Sequence, residues 1–180
     1  TPGCLVRASH PGYTPDSVAV ERLPLDSDIV GLAPRRAGKW QGFALSATAL
    51  AANEASRAAL SKAHLALLAG DLDAASAATE EAVAADATHA EAWFQLGRLR
   101  LTFGDARAAR EAFRRALAAD SRFVAPYRPL LLIEMAEGRS REARELCDRL
   151  LALTPHLADA RYYRALANLE LGDEAASRAD

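Results

Sequence analysis

Few side chains in this 180-residue chain could ligate a metal or act as nucleophile or base: four histidines, His10, His64, His89 and His156, and two cysteines, Cys4 and Cys147. A zinc hydrolase needs two histidines one helical turn apart with a carboxylate beside them. A thiol nucleophile needs a histidine that can take its proton. The sequence contains neither HExxH nor CxxC, and no histidine accompanies either cysteine at nucleophile spacing. Its glycines form no phosphate-cradling loop, and its acidic residues are dispersed along helix-like stretches rather than paired. The reading is therefore of no catalytic residue, no metal site and no cofactor. Cys147 reads as a small core hydrophobe and Cys4 as a strand residue of the same kind. The two are not expected to bond to each other.

Bulk composition narrows the classes further. A formal net charge of −2 supplies no electrostatic case for nucleic acid or an anionic membrane surface. No apolar run reaches the roughly 18 residues that a membrane span requires. Hydrophobic residues make up 51% but aromatics only 6%, and alanine supplies much of the difference. Alanine is small and the strongest helix former, so the composition predicts closely stacked helices with thin contacts.

The elements that must position any functional side chain are clearest in Ala90–Phe123, AEAWFQLGRLRLTFGDARAAREAFRRALAADSRF. Trp93, Leu96, Gly97 and Leu101 recur at helical spacing, Gly104-Asp105 breaks the pattern, and Ala109, Phe113, Ala116 and Leu117 resume it. Counted from Ala90, Trp stands at place 4, Leu-Gly at 7 and 8, Gly at 15, Ala at 20, an aromatic at 24 and Ala at 27. Gly70, Gly104, Gly138 and Gly172 are each 34 residues apart, in GDLDAA, GDARAA, GRSREA and GDEAAS. This pattern and period closely resemble the tetratricopeptide repeat. The resemblance implies a mainly α fold, a right-handed solenoid of antiparallel helix pairs, behind a short β-containing N-terminal segment.

The repeats fall at about 56–89, 90–123, 124–157 and 158–180, the last truncated. Helices are predicted near 53–69, 72–85, 125–137, 140–153 and 157–171, with another beginning at Asp173. Ser46 and Asn53 are candidate N-caps. Pro126 suits a helix start; Pro129, three residues further in, removes a backbone donor, so this helix should start late or be distorted. Gly97 and Ala63 occupy place 8, where paired helices approach most closely. Phe113 and Cys147 are expected in the core, and truncating Trp93 to Ala is expected to cost about 3–5 kcal/mol if its ring is well buried. Glu111 with Arg115 and Glu145 with Arg149 are expected as solvated i,i+4 pairs, and His89 and His156 as surface residues of the turns between repeats. An incomplete fourth repeat leaves an apolar face uncovered, so either the chain is cut there or that face self-associates.

Residues 1–44 differ. They hold five of the eight prolines, with strand-like pieces at Cys4–Ala8, Ser17–Glu21 and Asp28–Ala33 between turn signals. The strand Cys4–Ala8, Pro11-Gly12-Tyr13, the Asp16-Ser17-Val18 strand entry and Asp28–Leu32 resemble the end of a carboxypeptidase-regulatory-like, transthyretin-like β-sandwich domain. Exported bacterial proteins carry such a domain ahead of tetratricopeptide repeats, which implies a periplasmic or extracellular parent. The chain begins with Thr rather than Met, and the expectation is a fragment whose earlier strands precede Thr1. Residues 35–42 read as a linker, with Trp40 and Phe43 apolar enough to pack on the first repeat. The division is thus 1–44 and 45–180.

In the repeat family, places 2, 5, 9 and 12 of each first helix line the concave face. Here they are Arg57, Leu60, His64 and Leu67; Glu91, Phe94, Arg98 and Leu101; Ala125, Arg128, Leu132 and Met135; and Asp159, Tyr162, Leu166 and Leu169. The resemblance implies a non-catalytic scaffold that binds a protein or peptide partner through Arg57, His64, Glu91, Phe94, Arg98, Arg128 and Tyr162. An apolar groove with guanidinium donors suits a segment bearing an apolar face and a carboxylate. The family's carboxylate clamp, Lys at place 5 and Asn at place 9 of its first repeat, is absent, since Leu60 and His64 stand there. The alternative is an envelope or carbohydrate-binding module carried by the sandwich domain, with the repeats as a spacer.

Overall fold

The computed structural model of the chain describes residues 5–8, 16–19, 35–36, 39–40 and 46–180. Strand β1, Leu5–Ala8, pairs antiparallel with β2, Asp16–Ala19, placing Leu5 opposite Ala19 and Ala8 opposite Asp16. Two shorter pieces, β3 (Arg35–Arg36) and β4 (Lys39–Trp40), pair within the stretch expected to be a linker. The third expected strand at 28–33, the Pro-Gly-Tyr piece, Cys4, His10 and Phe43 lie outside the described residues, so the sandwich resemblance rests on sequence.

From Ser46 onward the described chain is helical. A short α1, Ala47–Ala51, precedes four helix pairs: α2 (Glu54–Leu68) with α3 (Leu72–Ala85), α4 (Ala90–Thr102) with α5 (Ala106–Ala119), α6 (Tyr127–Ala136) with α7 (Ser140–Leu153), and α8 (Ala158–Glu170) with α9 (Glu174–Ala179). Ser46 caps α1, its oxygen accepting from the Thr48 amide, and Asn53 caps α2 through Ser56 N at 2.8 Å. Helix α6 starts at Tyr127, three residues later than the 34-residue spacing from α4 and α8 would give. Its N-cap, Pro126, has no side chain that can accept a bond from the first turn.

The turn within each pair repeats one geometry. At Gly104 the backbone takes φ of 79°, left-handed territory where a Cβ is strained. The Gly104 amide donates to Leu101 O at 2.9 Å and the Asp105 amide to Arg100 O at 2.9 Å, the paired bonds of a Schellman C-cap. Asp105 then starts the next helix, its carboxylate accepting from Ala108 N at 2.8 Å. One Gly-Asp dipeptide so ends one helix and begins another. Asp71 and Asp173 do the same. In the third repeat Arg139 replaces the aspartate, and α7 has no side-chain cap.

Small residues bring the helices together. A Cβ at Gly97 would lie 2.5 Å from the Phe113 ring, so this position admits no side chain without displacing the ring. Ala63, at the same place one repeat earlier, is 1% exposed. The main core joins Phe113, Leu117, Tyr127, Leu130, Ile133, Leu146 and Leu150 across the second and third repeats. Cys147 is a fully buried free thiol in a neighbouring cluster with Leu131, Ala143 and Ala167. Burial pushes its pKa up to about 12, which keeps it a neutral thiol, as its reading as a small hydrophobe requires.

Candidate functional site

Helices α2, α4, α6 and α8 carry all seven candidate partner-binding residues. Arg57, His64, Arg98, Arg128 and Tyr162 are exposed, while Glu91 and Phe94 are half-buried. Leu60, expected on the same face, is only 6% exposed and belongs to the packing between α2, α3 and α4. Leu101, Leu132 and Leu169 keep 37%, 43% and 55% of their surface. That face therefore combines open apolar side chains with cations.

The second repeat draws several of these residues into one cluster. Phe94 packs against Phe113 and Phe123, with ring centroids 5.9 and 5.4 Å away. The Arg98 guanidinium lies over the Phe94 ring, 5.9 Å from its centroid. Gln95, which the sequence reading did not single out, bridges the two charged neighbours: its Nε2 donates to Glu91 Oε1 at 2.8 Å and its Oε1 accepts from Arg98 Nη1 at 3.1 Å. Burial raises the Glu91 pKa, opposed by the Gln95 bond and by the nearby charges of His64 and Arg98. Arg128 belongs to a different place in the fold, 4.0 Å from Asp159 Oδ2. Tyr162 is further along, its ring edge-on to Tyr163 at 5.3 Å.

Three readings are corrected here. His89 is not a surface turn residue. It is 2% exposed, and its Nδ1 lies 2.7 Å from Ser56 Oγ, which itself donates to Ala82 O at 2.8 Å. With the hydroxyl proton committed to Ala82, His89 Nδ1 is the donor. Burial lowers the His89 pKa, only partly offset by Asp86. Turn sequence alone signals exposure, and only the stacking of repeats closes this site. His156, by contrast, is exposed.

Trp93 is half-buried rather than central to the core, its ring under the Arg115 guanidinium at 4.8 Å. Of the two expected surface pairs, Glu111–Arg115 forms at 2.9 Å. Glu145–Arg149 does not; both side chains line a cavity of about 290 Å³ between α5, α6 and α7, with Leu117, Leu130 and Leu146.

The sequence reading also missed a buried carboxylate. Glu134 is 0% exposed, accepting from Arg114 at 2.8 Å and from Arg139. Arg139, the residue that breaks the Gly-Asp pattern, has its pKa raised chiefly by this bond. A register comparison could have found the pair: Arg100–Glu80 in the preceding seam and Glu134–Arg114 are both 20 residues apart, with the signs exchanged.

Residues 90–123 match the family model described as Tetratricopeptide repeat. Solved structures extend the likeness to the other repeats. The crystal structure of MamA protein superposes with a TM-score of 0.60 at 22% identity, covering 69% of this chain and 68% of that one. The fold is a tetratricopeptide solenoid. The first tetratricopeptide domain of Spaghetti, solved bound to an HSP90 peptide, aligns at 16% identity and a TM-score of 0.56 over 67% of this chain and 98% of that one. YrrB, described as a tetratricopeptide protein with an unusual peptide-binding site, gives 16% and 0.57, covering 68% and 63%. No curated protein matches the sequence. No helix among the described residues is long and apolar enough to cross a membrane.

Proposed function

We propose that this chain is a non-catalytic scaffold that binds a protein or peptide segment along the face formed by α2, α4, α6 and α8. The reading rests above all on Arg98, an exposed guanidinium beside a half-buried aromatic ring, on a face that also carries the open leucines Leu101 and Leu132. Such a face suits a segment whose apolar side chains pack while a carboxylate meets the arginine. The peptide complex of Spaghetti and the peptide-binding site described for YrrB support this use of the fold. In this reading residues 45–180 are the binding unit, residues 1–44 a separate β-containing part, and the open face of α8 and α9 a surface for self-association.

The test is affinity capture with the whole chain and with the Arg98→Glu, Arg128→Glu double variant. The reading expects a captured partner to be lost from the double variant while its melting temperature stays nearly unchanged. A double variant that retains the partner as well as the parent chain does would overturn it.

A further inference from the structure

On the helix face proposed above, charges of both signs lie close together. Glu91 and Arg98 are seven residues apart on α4, two turns and roughly 10 Å along the axis. Left alone, flexible Glu and Arg side chains at such a separation lean towards each other through the low-dielectric groove wall, and a neutralised arginine has little left for a ligand. Gln95 stands between them and is 8% exposed. Its amide has one donating and one accepting end, and each meets the charge that it can satisfy: Nε2 the Glu91 carboxylate at 2.8 Å, Oε1 the Arg98 guanidinium at 3.1 Å.

Arg98 has no carboxylate within ion-pair distance among the described residues, whereas Arg128 has Asp159 at 4.0 Å and Arg100 has Glu80. Among the described residues its guanidinium hydrogen-bonds only to the neutral amide oxygen of Gln95, which leaves most of its five N–H donors available. The guanidinium also lies over the Phe94 ring, 5.9 Å from its centroid. An arginine fixed by an amide and a ring, yet not neutralised, is prepared for bidentate recognition of a carboxylate.

We infer that Gln95 is a positioning residue: it keeps Glu91 from capturing Arg98 and so maintains a carboxylate subsite at Arg98, next to an apolar subsite at Phe94 and Leu101. The ligand class is a carboxylate with an aromatic or branched apolar group two or three bonds away, as in a peptide's acidic side chain beside an apolar one or its C-terminal residue. This rests on the proposed binding face, and the experiment separates the two.

The probe is 3-phenylpropionate, with 3-phenylpropionamide as the uncharged control, titrated into the full chain and followed by amide and arginine side-chain NMR signals. Phenylpropionate is expected to shift Phe94 and Arg98 signals at millimolar concentration, and the amide to bind at least tenfold more weakly. Gln95→Met, similar in length and unable to hydrogen-bond, should weaken phenylpropionate about tenfold with little change in melting temperature. Gln95→Glu should weaken it further by neutralising Arg98 directly. The second readout is the carboxyl titration of Glu91: mere loss of the Gln95 donor would raise it, whereas capture of Arg98 by Glu91 in Gln95→Met should lower it. If phenylpropionate binds at Arg98 but Gln95→Met neither weakens it nor lowers the Glu91 titration, the positioning role is wrong and the carboxylate subsite stands. If acid and amide bind equally, or neither perturbs Arg98, the carboxylate subsite itself is wrong.

Discussion

The indole Nε1 of Trp93 donates to the carbonyl of Ala87, six residues earlier and 2.8 Å away. The bond recurs in each later repeat with a different donor: the Tyr127 hydroxyl reaches Ser121 O at 2.7 Å and the Arg161 guanidinium reaches Pro155 O at 2.7 Å. In the second to fourth repeats place 4 therefore serves to tie the first turn of α4, α6 and α8 to the turn that precedes it. This explains why a half-buried tryptophan, a buried tyrosine and an exposed arginine can share it. What these three share is a donor at the end of a long, planar-tipped side chain; the first repeat has the buried Ala59 at this place instead. Trp93→Phe should lose about 1 kcal/mol, the usual net worth of one such bond. Trp93→Ala should lose more, about 2 kcal/mol, yet less than the 3–5 kcal/mol of a fully buried aromatic. Urea denaturation of both variants checks the order.

Gly97→Ala should destabilise the chain by about 1–3 kcal/mol, the range for overpacking a filled core. The added methyl would meet the Phe113 ring at 2.5 Å, and rings do not yield as flexible side chains do. Gly97→Ala combined with Phe113→Leu should recover part of the loss relative to the sum of the single changes. Additive losses in that double-mutant cycle would show that the clash is not with Phe113.

Stability should fall as pH falls below about 6.5. His89 is buried as a neutral donor to Ser56, and its folded-state pKa is lowered by burial. Unfolded chains therefore take up the proton more readily, and stability present above the unfolded pKa is lost as pH falls towards the folded one. The same two places in the next repeat hold Ala90 and Phe123, both buried and apolar. The double variant Ser56→Ala, His89→Phe should keep its stability at neutral pH and flatten the slope below about pH 6.5. A slope unchanged in the variant would assign the pH dependence elsewhere.

Glu134 is the charge whose loss should matter most. Glu134→Ala leaves Arg139 without its principal partner, and about 2 kcal/mol of destabilisation is expected. That is less than the 3–5 kcal/mol for fully buried pairs, because Arg114 is 45% exposed and can turn to water. Arg114→Met should lose less than Arg139→Met, since Glu134 would still hold the more enclosed arginine. Thermal melts of the three variants decide the ranking.

Local chemistry is what the sequence by itself determined. A glycine every 34 residues, three of the four followed by aspartate, specifies where one helix ends in left-handed backbone and the next begins. These are interactions within six residues, so the helix boundaries at Leu72–Ala85 and Ser140–Leu153 were legible residue for residue, and Pro129 signalled the late start of α6. The close approach at Gly97 was legible too, because only the smallest side chain fits there. Tertiary structure alone decided which polar residues are sealed. His89 sits in a turn and Glu134 near a helix end, both places that sequence reads as solvent. Stacking of one repeat on the next removes the water and supplies their partners, Ser56 from 33 residues earlier and Arg114 from 20 residues earlier. Gln95 was illegible for the same reason. Periodicity marks the face a side chain points to, but whether its amide lies between two charges depends on rotamers that packing selects.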